Sequence, residues 1–64
     1  MNFRLASSVL EILRVYGELP IAFLSHITNT EIEKINEVVE ELKNRKVVSV
    51  HDKMIKINED VAEW

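Results

Sequence analysis

The side chains of this chain that are able to do chemistry do not stand in the patterns that chemistry needs. His26 and His51 are its imidazoles, and neither has a second ligand at metal-binding spacing. Ser7 and Ser8 have no base near them in sequence, and a single Gly leaves no glycine-rich loop to cradle a phosphate. The carboxylates recur with helical charge patterning and not as an isolated acid/base pair. With no Cys there is neither a disulfide framework nor a thiolate metal site. The expectation is a binding protein: not an enzyme, with no catalytic residue, no metal, no cofactor and no small-molecule substrate.

Charge is the remaining means of recognition, and it is unevenly placed. The formal net charge of −3 is mildly unfavourable for wrapping nucleic acid. Residues 28–42 carry Glu31, Glu33, Glu37, Glu40 and Glu41 against Lys34 alone. Residues 43–58 carry Lys43, Arg45, Lys46, Lys53 and Lys56 against Asp52 alone, and Glu59, Asp60 and Glu63 follow. An acidic segment is thus followed by a basic one.

The elements that position these residues follow from hydrophobic period. Leu5, Val9, Ile12, Leu13 and Tyr16 fall at helical spacing before Gly17, which predicts a helix over 3–16. Leu19 suits a short extended segment. Pro20 then opens a helix over 20–27, with Ile21, Leu24 and Ile27 facing inward. Thr28-Asn29 reads as a tight turn, and Thr30-Glu31-Ile32-Glu33 as a capping box with Thr30 at the N-cap. The helix behind it, over 31–45, places Ile32, Ile35, Val39 and Leu42 on one stripe and cations in its last turn. From Val47 the period becomes two. Strands over 47–51 and 54–58 with a two-residue Asp52-Lys53 turn pair Val50 with Ile55 and Val48 with Ile57 on one face. The tail 59–64 reads as a last turn that packs Val61 and Trp64 back.

At 64 residues the chain is one domain, 1–64, of a size that buries only about 60% of its unfolded surface. An apolar content of 47% is ample for its core. No long apolar run and no signal-like segment occur, so a cytoplasmic protein without membrane insertion is expected.

The order is helix, short strand, helix, tight turn, helix and hairpin. Together with Gly17-Glu-Leu-Pro-Ile-Ala-Phe-Leu24 and Leu42-Lys-Asn-Arg-Lys-Val47-Val48, it resembles the winged helix-turn-helix superfamily, in the form of its small archaeal or viral members. The resemblance covers nearly the whole chain. It implies an α+β, mainly α fold of three helices followed by a two-stranded β-hairpin wing. One departure is Lys46, where the family has a Gly for a left-handed turn.

Double-stranded DNA is the partner the resemblance implies first, for a regulator of transcription that is compatible with a homodimer. Lys34 and Asn36 match reading positions on the third helix, whereas Glu31, Glu33 and Glu37 at neighbouring positions meet phosphates unfavourably. Phosphate contacts are therefore expected mainly from Lys43, Arg45 and Lys46 at the helix end and from Lys53 and Lys56 of the wing. The alternative is a protein partner, as in adaptor and scaffold winged helices. Its candidate residues are Phe3, Leu10 and Phe23 off the main stripes, Glu31 and Glu37 on the acidic helix, and an exposed hairpin edge.

Overall fold

The computed structural model describes residues 2–58 and contains three helices and a small antiparallel sheet, a mainly helical α+β arrangement. The elements run α1 (Phe3–Tyr16), β1 (Glu18–Pro20), α2 (Ile21–Thr28), α3 (Ile32–Asn44), β2 (Val48–His51) and β3 (Met54–Ile57). The tail 59–64, with Val61 and Trp64, lies outside the described residues.

Asn2 caps α1, its Oδ1 accepting from the Leu5 N–H at 3.1 Å. The inward face of α1 is Ala6, Val9, Leu10 and Leu13, an i, i+3, i+4, i+7 stripe. Of the expected stripe, Val9 and Leu13 are buried, Leu5 and Ile12 are half-buried to one side, and Tyr16 is exposed. Gly17 ends the helix at φ +85°, and a Cβ there would meet nothing within 4 Å, so backbone conformation and not space accounts for the glycine.

The expected two-stranded wing is one part of a three-stranded sheet in the order β1-β3-β2. Leu19, read as an isolated extended position, sits opposite Ile55 on β3, and Glu18 and Pro20 sit opposite Lys56 and Met54. Pro20 lacks an N–H, which an edge strand tolerates. It is also the N-cap of α2 and not its first helical residue. The hairpin pairs Val48 with Ile57 and Val50 with Ile55, as the alternation predicts. Asp52 and Lys53 both have positive φ (51° and 65°), the requirement of the tight turn whose twist matches the strands. The strands end one residue short of the expected outer bounds, at Val48 and Ile57.

The expected capping box at α3 is absent. Thr30 donates its hydroxyl to the Thr28 carbonyl, and Glu31 is the N-cap, with no side-chain bond. The preceding turn explains the shift. Asn29 takes the left-handed conformation (φ 53°) and the Thr30 N–H returns to the Ser25 carbonyl, so the chain enters the helix one residue late. The far end repeats this geometry. Lys46 occupies the left-handed position at φ 62°, its N–H reaching the Lys43 carbonyl while the Val47 N–H reaches Leu42. This is a Schellman end with lysine where glycine is usual. Asn58 supports it. Its Nδ2 donates to the Lys46 carbonyl at 2.7 Å, its Oδ1 accepts from the Ser49 hydroxyl, and its N–H bonds the Val47 carbonyl.

The core lies between the three helices and the inner sheet face. Leu13, Leu24, Ile35, Leu42 and Ile55 are its largest fully enclosed side chains, and no polar or charged residue among those described is buried.

Candidate interaction surfaces

α3 buries Ile35, Val38, Val39 and Leu42. Helical spacing therefore turns Glu33, Glu37 and Glu40 outward, with Asn36 and Asn44 beside them, and all five are exposed. Lys34 stands at one flank, lining an open groove of about 760 Å³ with Glu37, Glu41, Asn2 and Leu5. Glu31 is exposed at the helix start. The middle of this face holds carboxylates and no cation.

The five basic residues of the second half are divided among three places. Lys43, Arg45 and Lys46 cluster at the end of α3, where Arg45 reaches Glu41 at 3.8 Å, an exposed contact of little energetic weight. Lys53 is at the hairpin turn beside Asp52. Lys56 is on the outer face of the sheet, on its central strand and directly opposite Glu18. β3 is thus an interior strand and not an edge, and an acid stands beside each of the two hairpin lysines.

The hairpin also fails to project. The Lys53 carbonyl accepts from the Ile21 N–H at 2.9 Å, one step beyond the Pro20–Met54 pair. The turn is therefore level with the start of α2. β1 covers the β3 side of the hairpin, so the edges of the described sheet are the outer sides of β1 and β2.

The apolar surface differs from expectation. Leu10 is only 5% exposed and belongs to the core, because it lies on the i, i+3, i+4, i+7 stripe begun by Ala6. Phe3 is exposed (67%), and Phe23 is partly so (39%). They do not form one patch with each other. Phe23 instead meets Tyr16 (59% exposed) edge-to-face, with centroids 6.5 Å apart and planes at 86°. Phe3 is at the opposite end of α1, roughly 20 Å of helix away from Tyr16. Ile27, one turn beyond Phe23 on α2, is exposed as well and was expected inside. Tyr16 and Ile27, together with Ile32 on α3 (42% exposed), were thus missed as surface residues. A stripe started at Ala6 in place of Leu5 would have found Tyr16.

A second open groove, of about 690 Å³, runs beside α1 towards the α2–α3 turn. Leu5, Ser8 and Ile12 line it from α1, with Ile27 opposite and charged walls that include Arg4, Glu11, Glu31 and Lys34. His26 and His51 are both exposed, and His51 lies 3.7 Å from Asp52 in open solvent. Among the described residues no group of three His, Asp or Glu side chains is placed to hold a metal ion, and no helix is long and apolar enough to cross a membrane. No protein-family model, curated protein or solved structure matches the chain.

Proposed function

We propose that the chain is a winged-helix domain that acts by binding, and that its partner is a protein and not duplex DNA. The order α1-β1-α2-α3-β2-β3, with β1 added to the hairpin, supports the winged-helix assignment. The observation that carries the protein reading is the aromatic pair Tyr16–Phe23, uncovered where α1 and α2 meet, with Ile27 one turn away. Single exposed apolar side chains are ordinary, but a preorganised aromatic pair continued by an aliphatic side chain has the composition of an interface centre.

Two features argue against the reading that the resemblance implies first. The outer face of α3, which would meet the major groove, presents Glu33, Glu37 and Glu40, each of them repelled by phosphate. The hairpin is tied level with α2 and balances Lys53 and Lys56 with Asp52 and Glu18, so it offers no extended basic arm.

The test compares the protein with a Tyr16→Ser/Phe23→Ser variant in affinity capture, alongside anisotropy with a random duplex at low salt. Partners retained by the protein and lost by the variant are expected, with no duplex binding. Salt-sensitive duplex binding abolished by Lys43→Ala and Lys46→Ala would replace this reading with the DNA one.

A further inference from the structure

We infer that the outer edge of β2 takes up an extended acidic peptide of a protein partner, which adds a strand to the sheet and sets its carboxylates against Lys43 and Lys46. In the hairpin the Asn58 N–H bonds the Val47 carbonyl, so by alternation Ser49 and His51 direct their backbone groups to β3. Val48 and Val50 direct theirs away from it, and β2 has no strand on that side. These residues, about 7 Å apart, each present an N–H and a C=O for pairing.

The two edges of the sheet differ. β1 has three residues, and Pro20 deprives its outer side of an N–H, two of the devices that keep an edge from pairing. β2 carries Val-Ser-Val-His, with no proline and no lysine, and its register against β3 is unbroken by a bulge. It is the edge left open.

Charge selects the occupant. Lys43 and Lys46 are exposed just before β2, and among the described residues neither is ion-paired, whereas Arg45 is shared with Glu41. Lys46 holds its place at φ 62°, a conformation that glycine would adopt without strain. Strain of that kind collects at functional positions, and here it retains a cation at the head of the open edge. A strand added to β2 lies about 4.8 Å from it and, carried past Val48, comes level with Lys46. Glutamates at that end of the peptide meet Lys46 and Lys43. A second copy of β2 brings no carboxylate to them. A duplex bound at the end of α3 would carry further phosphates towards Glu37 and Glu40, whereas a single strand passes the helix end only. This inference does not rest on the partner reading of Tyr16 and Phe23, which lie on α1 and α2.

The probe is a synthetic peptide of alternating valine and threonine closed at one end by glutamates, titrated into the full chain. Amide hydrogen exchange at Val48 and Val50 is expected to slow on binding, with Ser49 and His51 unchanged because they already face β3. N-methylating the peptide at alternate residues is expected to abolish binding for one set and spare it for the other, as only one set faces β2. Lys46→Gly, which favours the fold, is expected to weaken binding about threefold, and together with Lys43→Ala about tenfold, as two exposed ion pairs allow. Equal binding of a peptide with lysine for glutamate, both N-methylated sets binding alike, or unchanged exchange at Val48 and Val50 would overturn the inference. So would a random duplex that binds through Lys43 and Lys46 in place of the peptide, which would assign the cluster to nucleic acid.

Discussion

On α3 every apolar side chain except Ile32 is buried, whereas at the junction of α1 and α2 Tyr16, Phe23 and Ile27 stand in solvent. The helices belong to one core, yet their outer faces present different chemistry. α3 has a clean division, apolar inside and carboxylate outside, and gives water little reason to leave. α1 and α2 run over their division: Tyr16, Phe23 and Ile27 are exposed at their junction, and Phe3 and Val15 are exposed on α1 besides. In a chain of this size apolar area is scarce, and leaving it uncovered forgoes roughly 25 cal/mol per Å². The helix that the resemblance makes a reader of DNA is thus the one least suited to meet a partner of negative charge.

This division can be broken by substitution, and the largest effect is expected on the buried side. Ile35→Ala, at a site with no exposure, should cost about 2–5 kcal/mol, and thermal melting followed by circular dichroism should show most of the cooperative transition lost. Phe23→Ala, on the uncovered side, should cost nearer 1 kcal/mol, much of it the edge-to-face contact with Tyr16. If the two substitutions were equally damaging, the faces would not differ as described.

A smaller effect of opposite sign tests the end of α3. Lys46→Gly relieves a left-handed lysine and should stabilise the protein by about 1 kcal/mol in urea titration. Asn29→Gly should gain less, because asparagine tolerates that conformation. The smallest effect on stability, within about 0.5 kcal/mol, belongs to the paired reversal Glu37→Lys/Glu40→Lys on the exposed face of α3. Its value lies in binding: the reversal should raise salt-sensitive affinity for a random duplex above that of the natural protein. Unchanged anisotropy would show that those carboxylates do not oppose DNA.

The elements legible in the sequence are those whose signals are local. The bounds of α1 follow from its period and from Gly17, and the hairpin register follows from alternation across a two-residue turn. Features that depend on partners distant in the chain were not legible. Leu19 reads as a lone apolar residue until Ile55 is set opposite it, which adds β1 to the sheet and makes β3 its centre. The rotation of α1 towards Ala6 and Leu10 is likewise decided by what packs there, since two overlapping stripes fit the helical period equally well. The acidic face of α3 was evident from composition alone. The isolation of the hairpin lysines was not, because Glu18 comes to Lys56 from the other end of the chain.

The central place of β3 has a consequence for the order of assembly. It is the last strand among the described residues, yet β1 and β2 touch the sheet only through it, and Ile55 on it is wholly enclosed. Glu18 must wait for Lys56, a loop closure across most of the chain, and such distant pairings slow folding more than they weaken the product. Until residues 54–57 are free to pair, the chain can hold helices but no sheet. The sheet is therefore expected to form in one late step, after the helices.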